Sequence, residues 1–222
     1  MRRTRPGRPR HIPARSQLEP REQILDAAAR LFTERGFAAT STREIAEMVG
    51  MRQASLYYHF PCGKEEILGD LLDMTVRPTL DGLDELAEID PPEAKLYVLA
   101  FRDARALAGL MHNIGLLPTL PDVTSTEVCD EYEQARRLLR EAYSTLGISC
   151  ASDVVVETVS RAQLGAMVIQ QVEGVVRDRA AGEVVTSYEL HNVAAACLRI
   201  CGVPDERIPS IGDISPLLTD AS

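Results

Sequence analysis

The sequence predicts an all-α protein, with a small N-terminal three-helix helix-turn-helix domain followed by a larger helical domain. Three observations lead there. Apolar residues recur at three- and four-residue spacings along most of the 222 residues, the period of a helix buried on one face. Cap signals of the form Ser/Thr-x-x-Glu stand at Ser41, Thr124 and Thr186, where a side-chain oxygen would take up an unpaired N–H of the first turn. No alternating strand pattern and no Asn-Gly hairpin signal competes with them.

Composition fits such a domain pair. Apolar residues are 45% of the chain and charged residues 26%, ordinary for a globular protein that can bury a core. No run approaches the roughly 20 apolar residues of a membrane helix, and the basic start is not followed by an apolar segment, as a secretory signal would be. A cytoplasmic protein without membrane attachment is expected. The net charge of −9 is unevenly spread: residues 1–64 hold 12 Lys and Arg against 6 Asp and Glu, and residues 65–222 hold 12 against 27. A basic front end on an acidic body is the distribution of a protein that meets nucleic acid at one end only.

The elements follow in order. Residues 1–18 carry Arg2, Arg3, Arg5, Arg8, Arg10 and Arg15 with three prolines and no acid, and read as a disordered basic arm. A first helix starts near Pro20, with Ile24, Leu25, Ala28, Leu31 and Phe32 on one face and Gly36 as its stop. Ser41 and Glu44 form a capping box for a second helix with Ile45, Ala46 and Val49 inward, and Gly50 breaks it. A third short helix spans about Gln53 to His59, and a fourth runs from Lys64 to about Val76. Further helices are expected from about 91 to 113, between 115 and 120, from Thr124 to about Gly147, over 152–181, and from Thr186 to about Gly202. The prolines at 204, 209 and 216 mark an irregular tail over 204–222. Domains are therefore expected at 19–64 and 65–203.

Two short helices joined by a glycine-containing turn make a helix-turn-helix, whose second helix lies in the major groove of DNA. Leu56 and Phe60 point inward with Ile45, Ala46 and Val49, which leaves Gln53, Ala54, Tyr57 and Tyr58 outward or at the rim.

The stretch from Ile24 to Leu68 resembles the tetracycline-repressor family. The resemblance is carried by Thr42-x-x-Ile45-Ala46, by Gly50, by Ser55-Leu56-Tyr57-Tyr58-His59-Phe60 and by Lys64-Glu65-Glu66. Cys62-Gly63 is one residue longer than the commonest family spacing before the lysine. The resemblance implies that Thr42 and Arg43 face DNA, with Arg43 able to reach a guanine edge. It implies that Gln53 and Ala54 meet base edges, that Ser55, Tyr58, His59 and Lys64 bind phosphates, and that Tyr57 is half core and half groove contact. It further implies a homodimer through the helices at about 152–181 and 186–202, which would read a near-palindromic, double-stranded operator.

The same resemblance implies a pocket for an unknown small-molecule effector in the second domain. Phe101, Met111, His112, Leu116, Tyr132, Arg136, Met167, Gln170 and Gln171 are its candidate walls, mostly apolar with a few polar groups. Ligand would favour a conformation whose half-site spacing does not fit the operator, so that the protein is a repressor released by ligand.

Other classes are weighed on the same residues. The five cysteines are odd in number, widely spaced and without Cys-x-x-Cys, so neither a disulfide framework nor a zinc site is indicated. A cysteine-redox sensor would use Cys62, or Cys197 and Cys201 one turn apart, but the apolar flanks of Cys197 disfavour a thiolate there. No phosphate loop, Gly-x-Ser-x-Gly, His-Glu-x-x-His or metal-spaced cluster is present, so neither an enzyme, a cofactor nor a metal is expected. A DNA-binding regulator controlled by a protein partner, without a small-molecule effector, stays open.

Overall fold

The computed structural model describes residues 18–208. The basic arm and most of the proline-rich tail lie outside the described residues. Among the described residues every regular element is helical. The helices are α1 (Pro20–Arg35), α2 (Thr42–Val49), α3 (Gln53–His59), α4 (Lys64–Asp73), α5 (Arg77–Asp81), α6 (Pro92–Gly109), α7 (Pro121–Thr124), α8 (Glu127–Cys150), α9 (Asp153–Thr158), α10 (Arg161–Ala180) and α11 (Ser187–Ile200). Short 3-10 turns cover Asp84–Glu88, Met111–Thr119 and Asp205–Arg207.

The first three helices form where local chemistry places them. Pro20 opens α1 behind a capping box of Glu19 and Glu22, and Gly36 closes it at φ 90°. Ser41 and Glu44 cap α2 reciprocally, and Gly50 ends it in the left-handed conformation. Ile24, Ala28, Phe32, Ile45, Leu56 and Phe60 are fully or almost fully buried together, each large side chain contributing about 1.5–3 kcal/mol by leaving water.

Four expected boundaries move. The fourth helix stops at Asp73 instead of Val76, because the Thr75 hydroxyl bonds back to the Leu72 carbonyl at 2.7 Å and a turn intervenes before α5. The helix expected to reach 113 ends at Gly109, ahead of left-handed His112 and Asn113 at φ 44° and 55°. The next long helix starts after Thr126, not Thr124, with no side-chain cap, and runs past Gly147 to Cys150. The helix expected over 152–181 is two helices. Val159 turns to extended backbone at φ −124° and ends α9, and Ser160 with Gln163 forms a fresh capping box that starts α10. The box at Thr186 and Glu189 stands as expected.

The body is a helical bundle in which α10 packs on α8 and α6, and α6 packs on α11. Gly165 permits the closest approach, since a side chain there would collide with Ser144 on α8. Gly174 has no such role, because the nearest atom to its added Cβ would be an Arg177 nitrogen at 3.8 Å. The segment 111–119 packs on α1, α4 and α10 and so joins the bundle to the N-terminal helices.

Candidate nucleic-acid interface and effector cavity

The turn between α2 and α3 presents one continuous polar face. Leu56 and Phe60 anchor α3 from beneath, both 0% exposed, while Tyr58 on the opposite side is 82% exposed. Gln53, Ala54 and Ser55 are exposed beside it, and the His59 ring meets the Tyr58 ring edge-on at 5.2 Å. Thr42 ties the two helices: its Oγ1 accepts a hydrogen bond from Gln53 Nε2 at 2.9 Å and lies 3.3 Å from the Tyr57 hydroxyl. Gly63, at φ +72°, closes under Tyr57, where an added Cβ would sit 3.3 Å from Tyr57 Cε1. The extra residue before Lys64 therefore wraps the tyrosine.

Arg43 stands in solvent, its Nε donating to Glu47 Oε1 at 2.8 Å, a bond that raises its already high pKa. Lys64 differs from the expectation of a phosphate contact. Its Nζ donates to the carbonyls of Phe37 and Thr40 at 3.0 and 3.1 Å and lies 4.3 Å from the Phe37 ring centroid. The ammonium fastens the α1–α2 loop to the start of α4. Arg52, exposed at the N-cap of α3, adds to the face a cation that the sequence pattern does not single out.

A cavity of about 280 Å³ lies in the bundle. Its walls are Thr75 and Val76 after α4, Asp103 and Leu107 of α6, Gly115, Leu116, Pro118 and Thr119 of the 3-10 segment, Tyr132, Arg136 and Leu139 of α8, and Ile169, Glu173 and Val176 of α10. Arg136 and Glu173 form a close ion pair across it: Nε and Nη2 donate to Oε1 at 2.9 and 2.7 Å, and Nη2 also to Oε2 at 2.7 Å. Asp103 is buried and accepts from the Thr79 hydroxyl at 2.9 Å and the Tyr143 hydroxyl at 2.8 Å. Burial outweighs those bonds and pushes its carboxyl up to about 6. Burial also pushes the Tyr132 phenol well up, so it stays a hydroxyl.

Of the expected walls, Leu116, Tyr132 and Arg136 line this cavity. Met111 lines a wider, more open groove of about 650 Å³ beside α5 and α6. Phe101 is buried and stacked on Tyr97. His112 points to α1, with Nε2 2.9 Å from Asp26 Oδ1. Met167 and Gln170 are exposed and Gln171 half-buried, none of them lining the cavity. The cause is rotation: α10 turns Leu164, Val168, Ile169, Val172, Val175 and Val176 inward, which swings 167, 170 and 171 away. Asp103 and Glu173 carry no local sequence signal, since lone acids on amphipathic helices are usually solvated.

The segment between cavity and N-terminal helices is pinned at several points. His112 meets Asp26 on α1, and Asp122 Oδ2 accepts the Ala38 N–H at 2.7 Å in the α1–α2 loop. On the other side Asn113 Nδ2 donates to the Val176 carbonyl at 3.0 Å, and Arg179 Nη2 donates to the Leu110 carbonyl at 2.6 Å.

Residues 24–71 match the family described as bacterial regulatory proteins, tetR family. The chain is 35% identical to AmtR of Mycobacterium smegmatis, whose crystal structure it overlays with a TM-score of 0.79 over 93% of this chain and 98% of that one. It is 46% identical over 52 residues to the transcriptional repressor KstR2 of Rhodococcus jostii, a stretch that is 23% of this chain and 25% of that protein. The chain thus spans about a quarter of the length of the curated relatives it matches. AibR, solved with isovaleryl coenzyme A and operator DNA, shares the fold at 18% identity, with a TM-score of 0.64 over 84% of this chain and all of that one.

Proposed function

The chain belongs to the tetR family of bacterial regulatory proteins, and from that premise we propose that it is a sequence-specific DNA-binding repressor released from a near-palindromic operator by a small ligand. The observation that carries this reading is the α3 face, where Gln53, Ala54, Ser55 and Tyr58 are exposed above wholly buried Leu56 and Phe60. In this reading Gln53 and Ala54 meet base edges and Arg43 a guanine edge. Thr42 and Tyr57 hold Gln53 in place from the rim, and Ser55, Tyr58, His59 and Arg52 meet phosphates and set register. Lys64 is a positioning residue that shapes the face from behind. The weak solvated partner of Arg43, Glu47, is exchangeable for DNA.

A homodimer would bring two such faces to two half-sites. Its support is a set of exposed apolar side chains on the last helices: Val154 and Val156 on α9, Met167 on α10 and Tyr188 on α11. Among the described residues no helix is long and apolar enough to cross a membrane, and the protein would act in the cytoplasm, where its operator is. The matched relatives are regulators, and we read no catalytic role into this chain.

The effector would enter the cavity bounded by Tyr132, Arg136, Glu173 and Asp103. At about 280 Å³ it lies at the lower limit of ligand pockets, roughly 300–1,000 Å³, so the ligand is compact, with polar groups for the ion pair and the phenol. Gly115, Leu116, Pro118 and Thr119 belong both to the cavity wall and to the segment pinned on α1. A ligand that shifts this segment would shift the N-terminal helices. A coupling of about 1–3 kcal/mol would change operator affinity roughly 5–150-fold. The experiment is selection of bound fragments from random duplex DNA by the purified protein, then competition of that binding by candidate small molecules. A palindromic consensus whose complex is dissolved by one compound class is expected. A ligand that stabilises the protein but leaves operator affinity unchanged would count against the reading.

A further inference from the structure

Cys150 is the last residue of α8 and Cys201 the C-cap of α11, 51 positions on in sequence. The fold brings their side chains together at Gly147. Both sulfurs rest on Gly147. Cys150 Sγ lies 3.5 Å from its carbonyl oxygen, and Cys201 Sγ lies 3.6 Å from where its Cβ would be. The backbones are tied as well, since the Ser152 N–H donates to the Cys201 carbonyl at 2.9 Å. Cys150 is half-buried and reachable from solvent, whereas Cys201 is 0% exposed. The arrangement differs from the pairing that sequence spacing brings forward, because Cys197 turns to the Val168 carbonyl at 3.8 Å.

We propose that Cys150 and Cys201 are a peroxide-oxidisable thiol pair that closes an intramolecular disulfide between the ends of α8 and α11, with Cys150 as the attacking thiol and Cys201 as the resolving one. In the first step the Cys150 thiolate attacks one oxygen of a hydroperoxide. An S–O bond forms and the O–O bond breaks; sulfur loses two electrons, and the departing oxygen takes a proton and leaves as water or alcohol. In the second step the Cys201 sulfur attacks the sulfenic sulfur. The S–S bond forms, the S–O bond breaks, and the hydroxyl leaves with the Cys201 proton as water. The sum is two thiols and one hydroperoxide giving a disulfide, one water, and a second water or alcohol.

The division of roles agrees with the electrostatics. The hydrogen bond from Cys201 holds the Cys150 thiol below its ordinary range, helped by the Arg207 guanidinium and opposed by burial and Glu93. The same bond and burial push Cys201 up, so the shared proton stays there. Cys197 is pushed up to about 12 by burial, and burial likewise raises Cys129, so neither competes as a nucleophile. Exposed Cys62 serves as an internal control.

The test treats the purified full-length protein with rising hydrogen peroxide until Cys62 no longer reacts with an alkylating agent, then maps peptides without reduction. Expected is a peptide holding Cys150 linked to one holding Cys201, two hydrogens lighter than the pair and released by dithiothreitol. In Cys201→Ser the link vanishes and Cys150 is trapped as a sulfenic acid by dimedone; in Cys150→Ser neither product forms. A sample in which Cys62 is oxidised while Cys150 and Cys201 remain free thiols would overturn the proposal. So would Cys150 found only as sulfinic acid, or linked only to a second chain.

Discussion

Asp122 accepts the backbone N–H of Ala38 at 2.7 Å across 84 positions of sequence. The bond clasps the loop between α1 and α2 to α7, just past the segment that walls the cavity, and the contact of His112 with Asp26 ties that segment to α1. The Asp122 carboxylate also lies 3.2 Å from where a Cβ at Gly36 would be, and the φ of +90° at Gly36 favours glycine there.

Removing the clasp should uncouple more than it unfolds. Asp122→Ala is expected to lower stability by about 1 kcal/mol, the net worth of one such hydrogen bond. Its larger effect is on regulation. Ligand affinity should stay near wild type while the ligand-induced loss of operator binding shrinks several-fold. Calorimetric ligand titration beside gel-shift competition separates the two; an unchanged ligand response in Asp122→Ala would remove this clasp from the coupling route.

Lys64 tests the division between shaping the face and touching DNA. Its ammonium is held by two carbonyls and the Phe37 ring, so Lys64→Ala should cost about 1–3 kcal/mol of stability. The slope of log affinity against log salt should not change, because no phosphate contact is lost. A slope reduced by about 1 would return Lys64 to the phosphates.

Tyr58 and Arg43 should behave in the opposite way. Tyr58 is 82% exposed, so Tyr58→Ala should leave stability within about 0.5 kcal/mol while weakening all duplexes about tenfold. Arg43→Ala should keep the fold and relax preference at one base position by about tenfold. Equal loss of preference in both variants would contradict the separate roles.

Asp103 predicts a pH signature. Its ordinary value of 3.8 is raised by burial to about 6 in the folded protein. Between those values the folded state keeps a proton that the unfolded chain has released. Stability therefore falls as pH rises through that window and is flat above it, by an amount on the order of 2–3 kcal/mol. Asp103→Asn cannot ionise, so this part of the slope should vanish. Urea unfolding midpoints at about pH 4 and about pH 7 for both proteins measure it.

The parts legible in the sequence are those fixed by neighbours along the chain. The capping boxes at Ser41 and Thr186, the Gly36 and Gly50 stops and the inward Leu56 and Phe60 all depend on residues within a few positions, and they stand where the pattern places them. The cavity is different, because its walls come from separate helices brought together by long-range packing. Glu173 on α10 and Asp103 on α6 look like surface acids until α8 brings Arg136 and Tyr143 onto them. Met167 and Gln170 look like pocket residues until the rotation of α10 is set by its valine face. Lys64 looks like a phosphate ligand until the Phe37 and Thr40 carbonyls are seen beneath it.

The claim on which the regulator reading stands is that the α3 surface binds a duplex. Its most direct measurement is equilibrium binding of wild type and Tyr58→Ala to the selected duplex across a salt series. Wild type should bind tightly at low salt, with log affinity falling linearly as log salt rises, and Tyr58→Ala should run below it throughout. Absence of duplex binding by wild type even at the lowest ionic strength, or identical curves for Tyr58→Ala and wild type, would contradict the account.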